Sequence, residues 1–278
     1  MAASTVCSGE PAGDGRLAPR PMVARCLTNQ QYRILRTFCT AICSETMRIG
    51  FFGGSFDPPH RGHVALARLA REQLGLGRVL FAPVGAQPLK RNRPAASFDD
   101  RLAMTRLAIE GEPGLDLSAI DGPHGDGRPN YTIDVIRALR SALAPSDELY
   151  CLMGADSFLT IAHWYRAADL LMACNFAVAS RPGFDLGRLT AALPESISVA
   201  ACDNAPPGTL AVRLRNGEGC ESRLYLLPDL AEDASATDIR AALQGGADPQ
   251  AALHPRVVAY IAEHGLYRQV SQRTGPRP

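Results

Sequence analysis

Short apolar runs that stop at glycine or proline recur along this chain, and amphipathic stretches separate them. Arg48 to Phe52 is closed by Gly53-Gly54, Val79 to Ala82 by Pro83, and Leu149 to Met153 by Gly154; Asn175 to Ala179 runs into Arg181-Pro182-Gly183, and Arg223 to Leu227 is the last such run. Runs this short and this apolar, bounded by turn residues, read as strands buried on both faces. Between them lie stretches with helical spacing. Gly62 to Leu74 places Val64, Leu66, Ala67, Leu69, Ala70 and Leu74 on an apolar face, with Gly75 just past its end. Ser97-Phe98-Asp99-Asp100 opens a second helix as a variant capping box, and Gly111 stops it. Further helical pieces run from Tyr131 to Leu143, Asp156 to Ile161, Ala167 to Met172, Thr237 to Leu243 and Arg256 to His264, Leu115 to Ile120 reads as one more short strand, and residues 201–222 read as loop. Strand and helix alternate throughout, which predicts an α/β fold: a doubly wound, mostly parallel sheet with helices on both faces. Ligands of such sheets bind outside the carboxyl ends of the strands, near a switch in strand order. The loops after Phe52, Pro83, Met153, Ala179 and Leu227 therefore hold the candidate chemistry.

A domain over 47–270 carries all of these elements. Residues 1–46, rich in Ala, Arg, Pro and Cys without sustained periodicity, read as an extension outside the core, and residues 271–278 as a tail. Met47, one residue ahead of the first strand, makes an upstream in-frame start one account of that extension; an organelle transit peptide and simple disorder are others. No apolar run nears the roughly 18 residues of a membrane span. With 29 basic and 28 acidic residues the net charge is +1, which argues against a polybasic binder of nucleic acid or membrane. Of the basic residues 28 are Arg and one, Lys90, is Lys; Lys90 is either a solvated charge or a ligand contact in the polar loop over 84–97. The eight cysteines include no C-x-x-C pair and match no zinc spacing, so they read as reduced thiols of a cytoplasmic protein. Oligomeric state stays open, a homo-oligomer included.

The densest signal is Gly53-Gly54-Ser55-Phe56-Asp57-Pro58-Pro59-His60-Arg61-Gly62-His63. Its glycines allow a sharp turn and close backbone approach, its prolines delay the helix, and two imidazoles flank the helix start, where backbone N–H groups and the positive helix end favour an anion such as a polyphosphate. It is neither a dinucleotide glycine turn nor a P-loop. A zinc half-site would need further ligands, and no Cys or His lies close by in sequence.

These residues resemble the G-G-[ST]-F-D-P-x-H-x-G-H motif of nicotinate-nucleotide adenylyltransferases, members of the nucleotidyltransferase superfamily. The resemblance implies transfer of AMP from ATP, with the ATP phosphates held by Gly53, Gly54, Ser55, Phe56, His60 and His63. Residues 234–240, Ala-Ser-Ala-Thr-Asp-Ile-Arg, are similar to the superfamily's I-S-S-T-x-I-R signature, with Ala236 where the signature has its second Ser. On that likeness Ser235, Thr237 and Arg240 hold the β- and γ-phosphates; read alone, the spacing is that of an ordinary helix cap. The stretch from Met153 to Arg166 resembles the family segment in which Gly154 and Asp156 meet the nucleotide. In that segment Trp164, the chain's single tryptophan, stacks on the nicotinate ring with Tyr165 beside it; on composition alone Trp164 could equally be a core residue. Asn130-Tyr131-Thr132 resembles the family's [SP]-Y-T, which implies that Thr132 binds the pyridine carboxylate. Arg181 of Arg-Pro-Gly falls near adenine, and Lys90 where the family often has a basic residue. The resemblance covers roughly residues 48–268.

The implied catalytic groups are His60, His63 and Arg240. The implied partners are ATP and nicotinate mononucleotide, with Mg²⁺ accompanying ATP, no resident metal, and no nucleic acid or membrane. Nicotinamide mononucleotide or pantetheine phosphate as acceptor, and a non-catalytic nucleotide sensor on the same fold, are the alternatives that the residues leave open.

Overall fold

A computed structural model describes residues 46–86 and 94–268, apart from 229, 231, 233 and 248. Lys90, the tail over 271–278 and all but Thr46 of the extension lie outside the described residues.

Eight strands form one sheet: β1 (Arg48–Gly54), β2 (Arg78–Pro83), β3 (Leu115–Leu117), β4 (Glu148–Gly154), β5 (Asn175–Ala179), β6 (Ser198–Ala201), β7 (Leu210–Arg215) and β8 (Glu221–Leu227). Their order is β3-β2-β1-β4-β5-β8-β7-β6. The ladders from β3 through β8 are parallel, with Ile49 opposite Arg78 and Leu149; those joining β8, β7 and β6 are antiparallel. Strand order reverses between β1 and β4, which puts the switch point of this doubly wound sheet at the ends of those two strands.

Each central strand sends alternate residues into two separate cores. Ile49 and Phe51 of β1, Leu149, Cys151 and Met153 of β4, and Phe176 and Val178 of β5 pack on one face, while Phe52, Tyr150, Leu152, Ala177 and Ala179 pack on the other. Side chains of a strand alternate between faces, so a strand covered on both sides must be apolar at every position; this is why these runs lack the polar–apolar alternation of a half-exposed strand. Helix α1 (Arg61–Leu74) lays Val64, Leu66, Ala67, Ala70 and Leu74 on the second face. Helix α3 (Thr132–Ala142) covers the first face with Ile133, Val135, Ile136 and Leu139, beside Phe158 of the short α4 (Ala155–Phe158) and Leu170 and Leu171 of α5 (Ala167–Ala173). A third core joins α2 (Phe98–Ala108), α7 (Ala236–Gln244) and α8 (Pro255–Glu263) through Met104, Ile239, Val257 and Ile261. Removing Leu152 or Phe176 to alanine would open a cavity costing about 2–5 kcal/mol.

Two expectations need correction. The strand expected over 115–120 stops at Leu117, and residues 201–222 contain β7, which with β6 forms an antiparallel extension of the sheet. Leu-Ala-Val-Arg-Leu-Arg carries its one fully buried position at Leu214, and every residue of β6 is exposed, so an edge hairpin here lacks the dense apolar run that marks the central strands. A short helix, α6 (Leu186–Ala191), capped by Asp185, was likewise not anticipated.

Candidate active site

A cleft of about 1230 Å³ opens at the carboxyl ends of β1, β4 and β5. Gly53, Gly54, Ser55, Phe56, His60, His63, Thr132, Gly154, Asp156, Trp164, Tyr165, Arg181, Thr237 and Arg240, all singled out by sequence, line it together. Ser235 does not line the cleft: its hydroxyl caps α7, accepting the Asp238 N–H at 3.5 Å.

Geometry on the β1 side follows from its turn. A Cβ on Gly53 would sit 2.9 Å from the Phe51 ring, so only glycine fits there without displacing the core. Phe56, with φ of 47°, lies at the cleft's floor with its ring buried: it is 1% exposed and packs edge-on to Phe52 at 5.3 Å and to His63 at 4.9 Å. Its part in binding is therefore to pin the loop. His60 is the N-cap of α1, and its ring stacks on His63 with centroids 3.6 Å apart. The His60 backbone N–H donates to His63 Nδ1 at 3.1 Å, so a neutral His63 carries its proton on Nε2. Arg61 N–H is taken by the Ala252 carbonyl at 2.9 Å, which ties the start of α1 to the segment before α8.

Burial drives the electrostatics of His60. The residue is 8% exposed, Nδ1 has no hydrogen-bond partner, and desolvation lowers its pKa to about 4. It is neutral at pH 7 in the absence of an anion. A polyphosphate beside the ring would favour the protonated form, so charge here appears in response to substrate.

Arg240 reaches the same place from α7. It donates from Nη1 to the Asp57 carbonyl at 2.7 Å and from Nη2 to Thr237 Oγ1 at 3.3 Å, and a guanidinium so held keeps further N–H donors for an oxyanion. On the opposite wall Trp164 is half-buried against the core and donates Nε1–H to Thr160 Oγ1 at 3.1 Å. Tyr165 is 52% exposed and lies on Tyr131 with ring centroids 4.2 Å apart. Thr132 begins α3, with Tyr131 as its N-cap, so the first backbone N–H groups of that helix belong to this wall. Asp156 and Arg181 are exposed at the ends of β4 and β5.

Sequence reasoning passed over the residues that hold the β1 side together. Asp57, 4% exposed, accepts the N–H groups of Ala95 at 2.7 Å and Ala96 at 3.0 Å and the hydroxyl of Tyr267 at 2.8 Å. One carboxylate thus joins the β1 loop, the segment before α2 and the chain's closing segment. Arg101, 1% exposed, donates to the carbonyls of Ser55 at 2.7 Å and Val84 at 2.9 Å and fixes the loops after β1 and β2 to each other. Arg101 shares the buried face of α2 with Met104, Thr105 and Ala108, a mixture in which no local pattern sets the arginine apart.

Comparison with known proteins agrees with this geometry. Residues 51–242 match the family described as cytidylyltransferase-like. The chain is similar to the "Probable nicotinate-nucleotide adenylyltransferase" of Laribacter hongkongensis (strain HLHK9), 43% identical over 227 residues that cover 80% of this chain and 96% of the relative. It is 39% identical to the protein of the same name from Stenotrophomonas maltophilia (strain K279a), over 78% of this chain and 96% of the relative. Among solved structures, the Plasmodium falciparum nicotinic acid mononucleotide adenylyltransferase complexed with NaAD shares the fold at a TM-score of 0.56 and 17% identity, covering 80% of this chain and 97% of that one.

Proposed function

The chain belongs to the nicotinate-nucleotide adenylyltransferase family, and from that premise we propose that it transfers AMP from ATP to nicotinate mononucleotide, releasing pyrophosphate and forming nicotinate adenine dinucleotide, a step of NAD biosynthesis. The observation that carries the reading is the convergence of His60, His63, Thr237 and Arg240 on one cleft at the switch point, opposite a wall bearing Trp164 and Thr132.

The chemistry asks little of a general base. A phosphate monoester is already ionised near neutrality. Its oxygen attacks the α-phosphorus of ATP, the new P–O bond forms, and the bond to the β-phosphate oxygen breaks with its electrons leaving on pyrophosphate. Catalysis is then positioning plus stabilisation of charge on the leaving group. His60, His63 and Arg240 supply donors to that charge, and Thr237 and the backbone of Gly53, Gly54 and Ser55 complete the cradle. Gly154, Asp156 and Arg181 serve the rest of the ATP. Trp164 and Tyr165 offer aromatic faces to the pyridine ring, and Thr132 with the α3 N-terminus offers donors to its carboxylate.

Mg²⁺ arrives with ATP as part of the substrate. Among the described residues no group of three or more His, Cys, Asp or Glu is arranged to hold an ion, and Asp156 and Glu232 line the cleft as separate carboxylates. The phosphates themselves suit a hard cation. Among the described residues no helix is long and apolar enough to cross a membrane; a cytoplasmic place accords with that and with free Cys151, Cys174, Cys202 and Cys220. Pyrophosphate release with ATP and either mononucleotide tests the reading: release dependent on the nicotinate form supports it, and release with pantetheine phosphate instead would redirect it.

A further inference from the structure

The wall that carries Thr132 and Trp164 holds a buried carboxyl that neither the fold nor the mechanism above employs. Asp121 follows β3 and lines the cleft while remaining 4% exposed. Its backbone carbonyl is taken twice, by Gly85 N–H at 2.7 Å and by Asn130 Nδ2 at 3.1 Å. Asn130 works as a brace: Nδ2 also donates to the Gly122 carbonyl at 2.9 Å, and Oδ1 accepts Ala86 N–H at 3.0 Å. That brace ties Asp121 to the residue just before Tyr131 and Thr132. The carboxyl of Asp121 is a different matter. Oδ1 is buried with no hydrogen-bond partner, and Oδ2 lies 3.9 Å from the position a Cβ on Gly53 would take.

A buried carboxyl without a partner for one oxygen is costly unless something meets it. β1 brings Gly53 near it, and the connection after β3 presents the Asn130 amide, which favours the ionised form. From α2 the Arg101 guanidinium acts on it, while itself bonded to Ser55 and Val84 and subject to Asp57 and Tyr267. Burial outweighs these and pushes the Asp121 carboxyl up to about 7. Both of its states are therefore populated near neutrality, one a hydrogen-bond donor and the other an anionic acceptor. A phosphate is a poor neighbour for such a group, and the phosphate donors lie elsewhere, at His60, His63 and Arg240. What remains on this wall is the flat ring held by Trp164.

Resting on the adenylyl-transfer reading, we propose that the Asp121 carboxyl is a specificity-determining contact for the substituent on the acceptor's pyridine ring: neutral, it donates to a ring carboxylate, and ionised, it repels that carboxylate and accepts from a ring carboxamide. Preference for acid over amide then depends on pH, which neither Thr132 nor the stacking of Trp164 would produce.

The test is the ratio of kcat/KM for nicotinate mononucleotide to that for nicotinamide mononucleotide, each with ATP, from two pH units below neutrality to two above. The ratio cancels titrations common to both substrates, including those of the 5′-phosphate and of His60. It should fall about tenfold or more as pH rises through neutrality, the size expected when one donor becomes a repelling acceptor. Asp121→Asn and Asp121→Ser, which keep a donor at every pH, should flatten it. A wild-type ratio that does not change with pH overturns the proposal without any variant, as does a slope that persists unaltered in either substitution. Pyrophosphate release with neither mononucleotide would overturn the adenylyl-transfer reading and this proposal with it; release with an invariant ratio overturns this proposal alone.

Discussion

The phosphate side of the cleft and the acceptor wall differ first in what holds them in place. On the phosphate side, charged groups tie five segments together: buried Asp57 to Ala95, Ala96 and Tyr267, buried Arg101 to Ser55 and Val84, and half-buried Arg240 to the Asp57 carbonyl. Across the cleft, Trp164 leans on one hydrogen bond that its Nε1–H donates to Thr160, and Tyr165 rests on Tyr131 while half exposed. Stabilising charge on a leaving pyrophosphate requires donors fixed before the substrate arrives, because reorganising them during the reaction costs what they contribute. Holding an aromatic ring by stacking makes no such demand. The rigid side is where turnover should be lost, and the looser wall is where substrate preference should change.

The largest effect is expected at the two histidines. His60→Ala or His63→Ala should each lower kcat about 10²-fold or more, since each removes a donor aimed at developing charge. Steady-state turnover near the wild-type level in both variants would remove the phosphate side from the catalytic centre.

Arg101→Met tests whether the rigidity itself matters. It strands the Ser55 and Val84 carbonyls in a buried setting, which should cost about 2–4 kcal/mol in denaturant unfolding and lower turnover although Arg101 touches no substrate. Unfolding at the wild-type midpoint would show that the loops hold without it.

The third effect is on stability against pH. Because the folded pKa of His60 is about 4, below the ordinary 6.5, the unfolded chain binds the proton more readily. The contribution of His60 is full above 6.5 and is lost as pH falls toward 4, about 3 kcal/mol in all. His60→Gln should remove that part of the acid-side slope in unfolding curves of the free enzyme; an unchanged slope would mean that the ring is solvated.

On the looser wall effects should be smaller and of another kind. Trp164→Ala should raise KM for nicotinate and nicotinamide mononucleotides in parallel by roughly tenfold, the worth of a stacked ring, with kcat less affected. Thr132→Val should narrow the preference for the acid. A kcat loss at Trp164 as large as that at His60 would erase the contrast between the two sides.

Much of this contrast was readable in the sequence, for physical reasons. The turn from Gly53 to His63 stands out because an anion site needs glycine, imidazole and a helix start at adjacent positions, and adjacency is what a sequence displays. The central strands were legible because burial on both faces leaves their middles almost wholly apolar, with charge confined to their first residues. What escaped notice depends on distance along the chain. Arg101 meets Ser55 across 46 residues and Tyr267 meets Asp57 across 210, and no local pattern marks either pair. β7 escaped for the opposite reason: at the sheet edge its burial is confined to Leu214, so its composition resembles that of a loop.

The most direct test of the account is pyrophosphate release by the full chain with Mg²⁺ and ATP, in parallel with nicotinate mononucleotide, nicotinamide mononucleotide and no acceptor. The account predicts release that requires an acceptor, is fastest with nicotinate mononucleotide near neutral pH, and yields nicotinate adenine dinucleotide in equal amount. ATP consumption without an acceptor, or no release with either mononucleotide, would contradict it.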